Sequence, residues 1–158
     1  MLINKMHSSK GSSLIEVLIA LFVLAIGILG VLAMQVNAVK LNQNAYLYSQ
    51  ANILAMEIVE AVRSTPTVGG SYAIGFDDDP VEPNCTAPAA DCTPEELANW
   101  NVAQWRSSVA EILPEGAGEI EQAAGVPNAF KVSVRFRIDV DEDTGDSITD
   151  TVTLASGY

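Results

Sequence analysis

The 158 residues of this chain suffice for one modest globular domain. Its 49% hydrophobic content is swollen by one segment near the N-terminus, which leaves a small domain for the remainder. Twenty acidic side chains against eight basic ones give a formal charge of −12, which repels polyanions and removes any electrostatic basis for binding nucleic acid or anionic headgroups. From Ser64 onward seventeen acidic residues face only Arg106, Lys131, Arg135 and Arg137, so the distal part is strongly acidic.

From Leu14 to Ala33 run twenty residues that are apolar or glycine at every position except Glu16. At about 1.5 Å per helical residue this run covers the roughly 30 Å hydrocarbon core of a bilayer. Lys5 and Lys10 precede it and the next basic residue is Lys40. The positive-inside bias therefore expects a cytoplasmic N-terminus and an acidic domain on the other side. A secretory signal that is removed whole has a shorter apolar core and a small-residue cleavage site. Here the run continues into an amphipathic stretch without such a break, which favours retention. Glu16 lies one turn inside the apolar run. A carboxylate there costs about 2.5–3.5 kcal/mol on insertion scales, so it either snorkels to the headgroups or meets a partner.

Lys10-Gly11-Ser12-Ser13-Leu14-Ile15-Glu16-Val17-Leu18-Ile19-Ala20 resembles the signal of the type IV pilin-like family: a basic leader ending in glycine, a small residue, two aliphatics and glutamate. The resemblance implies that a prepilin peptidase cuts between Gly11 and Ser12 on the cytoplasmic side and that the new amine of Ser12 is N-methylated. It also implies that Glu16 neutralises the amine of a neighbouring subunit, each charge relieving the other's desolvation. Ser12 departs from the phenylalanine usual at that place.

After Ala33 there is no proline until Pro66, and the stretch is dense in good helix formers, which predicts one continuous helix to about Arg63. Leu47, Ala51, Leu54, Ile58 and Val62 recur at spacings of four and three and form one stripe able to bury a sheet. Gly27 and Gly30 lie mid-membrane, where glycine permits close helix approach or local unwinding. Residues 64–91, with Thr65-Pro66, Gly69-Gly70, Asp79-Pro80 and Glu82-Pro83, read as a connecting loop. Thr93-Pro94-Glu95-Glu96 then forms a capping box at the start of a helix running to Leu113, with Leu97, Trp105, Val109 and Ile112 on one face. Trp105 reads as a core anchor rather than a ligand platform.

A weak strand is expected from Gly118 to Ala123, closed by Gly125-Val126-Pro127-Asn128. From Phe130 to Val140 every even position is apolar and every odd one polar, the period of a half-buried antiparallel strand. Ile148, Val152 and Leu154 alternate with threonines to give its partner. The fold class predicted is α+β, a long helix packed against a small antiparallel sheet. The cysteine pair, the proline-started helix with a late tryptophan, and Leu113-Pro114-Glu115-Gly116-Ala117-Gly118 occur in the order found in PilV-like minor pilins, and with the leader this resemblance spans nearly the whole chain. The organisation expected is a leader over residues 1–11, the transmembrane half of the helix over 12–33 and its amphipathic half over 34–63. A connecting loop with the cysteine pair over 64–92 and a short helix with the sheet over 93–158 complete it.

Cys85 and Cys92 are the only cysteines and fall on the outward side, where disulfides persist, so a bridge worth about 2–3 kcal/mol is expected rather than a zinc site. Asp139, Asp141, Asp143 and Asp150 occupy places of a calcium loop, but Gly145 comes one place late and the flanks are strands, so a hairpin tip is the better reading. His7, the sole histidine, lies in the expected leader; no catalytic residue, metal ligand or cofactor is assigned. What the resemblance implies is a minor pilin of a type IV pilus, its partners other minor and major pilins, the prepilin peptidase and the inner-membrane assembly platform. It would be held in the inner membrane with its head in the periplasm. A minor pseudopilin of type II secretion and a filament-displayed adhesin are the alternatives. The adhesin needs exposed apolar groups in residues 64–92, where Tyr72, Ile74 and Phe76 are the candidates.

Overall fold

A computed structural model of the chain describes residues 13–81, 83, 85, 92–123 and 129–156. Its elements are α1 (Ser13–Ser64), a 3-10 helix (Pro66–Tyr72), α2 (Pro94–Ile112), β1 (Ala117–Gln122), β2 (Phe130–Val140) and β3 (Ser147–Ser156). Two compact units divide the chain, residues 1–42 and 43–158. The first contains the exposed apolar part of α1 and the second is an α+β head: a long helix on a small antiparallel sheet, the pilin-like architecture.

Helix α1 runs for 52 residues because nothing between Ser13 and Ser64 interrupts it. It stops at Thr65 because the proline that follows disfavours helical backbone there. The Ser64 and Thr65 hydroxyls donate to the Ala61 carbonyl at 2.7 and 3.2 Å, occupying an acceptor that the helix end leaves open. Within the head, Ala51, Leu54, Ala55, Ile58, Val59 and Val62 are buried together with Phe130, Val132, Val134 and Phe136 of β2. The expected stripe is thus the core face, with Leu47 half-buried at its start. Each large aliphatic side chain taken from water there contributes about 1.5–3 kcal/mol.

The sheet is a meander in the order β1-β2-β3, both pairs antiparallel. The register sets Val132 against Ile120 and Leu154, and Val134 against Gly118 and Val152. A register shift between Arg137 and Asp139 breaks the strict alternation, which is why Val140 is 38% exposed although the sequence pattern places it inward. The turn expected at Gly125-Val126-Pro127-Asn128 lies outside the described residues.

Thr93 and Glu96 form the reciprocal capping box that opens α2: Glu96 N–H donates to the Thr93 hydroxyl and Thr93 N–H to the Glu96 carboxylate. Ala98, Val102, Trp105 and Val109 of this helix enter the core. Ile112, expected on the same face, is 43% exposed because the helix ends there and Leu113 turns inward instead. Trp105 fixes α2 to α1, its indole N–H donating to the Leu54 carbonyl at 2.9 Å across a sequence distance of 51 residues.

Part of the segment expected to be a plain loop is structured. Pro66 starts the 3-10 helix, and Gly69 lets it press on the sheet, since a Cβ there would lie 2.6 Å from Cζ of Phe130. Tyr72 is fully buried, its hydroxyl bonded to Thr65, Ala61 and Asn101. Ile74 pairs with Ile120 across the edge of β1.

The glycines of Gly116-Ala117-Gly118 have a steric cause. A Cβ on Gly116 would sit 2.2 Å from the Val109 carbonyl oxygen, and one on Gly118 would sit 2.3 Å from Cη2 of Trp105. Gly118→Ala is therefore expected to destabilise the head by about 1–3 kcal/mol through overpacking. In a Trp105→Leu background the same change should cost under about 0.5 kcal/mol, because the ring it meets is gone. Urea unfolding of the four proteins of this cycle checks it; equal costs in both backgrounds would disprove the contact.

Candidate functional site

Helix α1 is long and apolar enough to cross a membrane, with a mean hydropathy of 3.0 in its most apolar window. From Leu14 through Asn42 every residue is exposed within the chain, including Leu14 at 79% and Phe22 at 67%. Side chains of this kind gain nothing from water and are satisfied by lipid or by other helices. Gly27 and Gly30 have no atom of the rest of the chain within 4 Å of a Cβ placed on them, so no packing inside the chain requires glycine there. Glu16 stands in the first turn of α1, where a carboxylate also complements the helix dipole. Gly11 and Ser12 lie outside the described residues, as does His7, so the structure places Glu16 but not the expected cleavage junction.

Cys85 and Cys92 are joined by a disulfide, with 6.1 Å between their Cα atoms. The residues between them, 86–91, lie outside the described part. Asp141 makes the hairpin tip, its carboxylate accepting the N–H groups of Asp143 and Thr144, while Gly145 takes the left-handed φ of 75°. These N–H donors, that of Thr144 first, hold the Asp141 carboxyl below its ordinary pKa. Asp141 is thus engaged in closing the turn between β2 and β3.

Three arrangements were not legible in the sequence. Arg106 of α2 gathers four backbone carbonyls: Nη1 donates to Gly75 at 2.8 Å and Gly118 at 2.6 Å, and Nη2 to Phe76 at 3.0 Å and Asp78 at 3.1 Å. It clamps residues 75–78 to β1. On the outer sheet face Arg135 stacks 4.5 Å from the Phe76 ring centroid, and Lys131 and Arg137 pair with Glu121 and Glu115. Tyr48 of α1 donates its hydroxyl to Asp150 of β3 while its ring meets Phe136 edge-on at 5.3 Å. Lone arginines and tyrosines carry no pattern that announces such partners; only the fold brings them together.

Residues 6–32 match the profile of the prokaryotic N-terminal methylation motif. No curated protein and no solved structure matches the chain. The motif, placed at the head of a membrane-length helix that continues into an α+β head, supports a type IV pilin-like or pseudopilin protein. Such proteins are structural, and their shared motif suggests interaction with a prepilin peptidase and with other pilins.

The Tyr48 hydroxyl, followed by the Thr151 N–H, holds the Asp150 carboxyl below its ordinary value of 3.8. A lowered folded-state pKa contributes stability above the unfolded value that is lost as pH falls through the folded value. Asp150→Asn should therefore lower head stability at pH 7 by about 0.5 kcal/mol after solvent screening. The difference from wild type should shrink as pH falls below 3.8 and vanish only beneath the still lower folded-state value, where Asp150 is protonated in both states. Thermal unfolding at pH 7 and at lower pH checks this, and a gap that persists undiminished in acid would contradict it.

Proposed function

We propose that this chain is a PilV-like minor pilin, a low-copy subunit of a type IV pilus that supports assembly in the filament or in its priming or tip complex. The observation that carries the reading is the methylation motif over residues 6–32, immediately ahead of and into the 52-residue helix α1. In this reading the peptidase removes residues 1–11 and Ser12 becomes the methylated N-terminus. Leu14 to Ala33 remain as an inner-membrane anchor and then as filament core, with the head in the periplasm until the subunit leaves with the pilus. Glu16 pairs with the amine of a neighbouring subunit, and the role of the protein is structural rather than catalytic.

The minor pseudopilin of type II secretion shares the motif and the long helix. The head favours the pilus through its order of elements: the bridged Cys85–Cys92, the capped α2 with Trp105 inside, and the glycine turn against that ring. The adhesin reading loses its candidates, since Tyr72 is buried, Ile74 packs on the core and Phe76 lies beneath Arg135.

Gly11→Val should leave the full-length form in the inner membrane, because a β-branched side chain crowds a peptidase site shaped for glycine. Immunoblots of membrane fractions beside wild type check this, and normal processing of the variant would refute the assigned junction.

Glu16→Ala separates the two fates of the carboxylate. If Glu16 only snorkels, its removal eases insertion and leaves filament incorporation unchanged. If it pairs with a neighbour's amine, removal strands that amine in an apolar core, a loss of about 3–5 kcal/mol. The expected outcome is that Glu16→Ala is made, cleaved and held in the membrane but depleted from sheared filaments, with Glu16→Gln intermediate. Equal recovery at matched membrane levels would remove Glu16 from assembly.

A further inference from the structure

The two edges of the sheet are treated differently, and hydrogen bonds already described reveal which backbone groups each edge presents. In an antiparallel ladder alternate residues turn their N–H and C=O groups to opposite sides. On β1, Ile120 exchanges both bonds with Ile74, N–H to O at 2.8 and 3.0 Å, and the Gly118 carbonyl is taken by Arg106. Ile120 and Gly118 therefore face away from β2, so Ala117, Glu119 and Glu121 face it and bond Arg135, Ser133 and Lys131. The intervening residues of β2, Val132, Val134 and Phe136, then bond Leu154, Val152 and Asp150. What remains on β3 is Thr149, Thr151, Thr153 and Ala155, whose N–H and C=O groups point away from the sheet. An independent bond agrees with this parity: Thr151 N–H is donated not to β2 but to Oδ1 of Asp150 at 2.7 Å.

The edge of β1 is thus closed by the segment that Arg106 clamps, while among the described residues no strand pairs with β3 on its outer side. Proteins usually blunt an edge of ten residues with lysine, proline or a bulge. Residues 147–156 contain no Lys, Arg, Pro or Gly, and the sheet's register shift lies near the start of β3. Among the described residues the single guard is Asp150, which covers one outward N–H with Oδ1 while Tyr48 holds its Oδ2. Beside this edge, on the flank of α1 that carries Tyr48 and Arg63 to β3, Met56 is 59% exposed and offers apolar footing.

We infer that the outer edge of β3 is a docking site for an extended, basic segment of a partner protein, which adds to the sheet as a fourth strand. An incoming carbonyl takes the Thr151 N–H, which frees Oδ1 of Asp150, and a Lys or Arg on the incoming strand then supplies the donor that this oxygen has lost. The acids of the adjoining hairpin, Asp141, Glu142, Asp143 and Asp146, favour the same sign of partner. A second copy of this chain is disfavoured, because β3 against β3 brings two Asp150 carboxylates and two strongly acidic heads together with no cation on either strand. The inference does not depend on the filament reading.

The test uses the full chain in detergent micelles and ten-residue peptides that alternate threonine and valine, with two lysines, two glutamates, or two lysines and a central proline. The lysine peptide should bind and slow amide exchange at Thr149, Thr151 and Thr153, and the glutamate and proline peptides should bind at least tenfold more weakly. Asp150→Asn should weaken the lysine peptide about fivefold or more without improving the proline peptide. Thr151→Pro should fold, since its outward N–H serves no ladder bond, and should abolish binding; exchange protection of β2 reports its folding. Equal binding of lysine and glutamate peptides, protection away from β3, no binding at millimolar peptide, or a folded Thr151→Pro that still binds would each overturn the proposal. So would concentration-dependent self-association of the wild-type chain that protects β3.

Discussion

The structure depends on one helix meeting two environments with one continuous backbone. Along Leu14 to Ala33, α1 is apolar on all sides and exposes every residue; from Leu47 onward it is apolar on one face, and that face is the floor of the head. A helix apolar all round is satisfied only by lipid or by other helices, whereas a one-sided helix needs a single sheet. The change of pattern within an unbroken run of helix formers lets a single element anchor and fold. Everything else in the head is placed by what it packs on this face: β2 through its even residues, α2 through Trp105 and Val109, and the 3-10 helix through Tyr72.

Charge is arranged to the same end. The head is strongly acidic, yet three of its five cations, Lys131, Arg135 and Arg137, lie at odd positions of β2, and each is engaged by an acid or an aromatic ring. Of the other two, Arg106 is committed to backbone carbonyls, and Arg63 to Glu60 and the Ser156 hydroxyl. The cations of the head thus serve internal cohesion. The surplus of acid is left for solvent and for partners of opposite sign, while the disulfide between Cys85 and Cys92 ties the loop that precedes α2.

Much of this was legible before any coordinates. The span of α1, the capping box at Thr93 and the alternation of β2 are periodic or local signals, and local signals survive into structure because the same backbone geometry produces them. The stripe from Ala51 to Val62 could be recognised as a core face, though not which strand would cover it. The 3-10 helix at Pro66 was hidden because seven residues of prolines, glycines and hydroxyls look like any turn; its reason is the Phe130 ring above Gly69, a contact 61 residues away. The Arg106 clamp and the Tyr48–Asp150 pair were hidden for the same cause, since each is one side chain meeting distant backbone or a distant carboxylate. Of the candidate site, the methylation motif over residues 6–32 was readable because it is linear, carried by consecutive residues rather than assembled by folding.

The central claim is that the apolar half of α1 stays in the mature protein and begins at a processed amine. Mass spectrometry of the N-terminal peptide, from protein recovered in sheared filaments, tests it most directly. The account predicts a peptide that starts at Ser12 with one methyl group on its amine and includes Glu16. A peptide that starts beyond Ala33, or one that still begins at Met1, would contradict it.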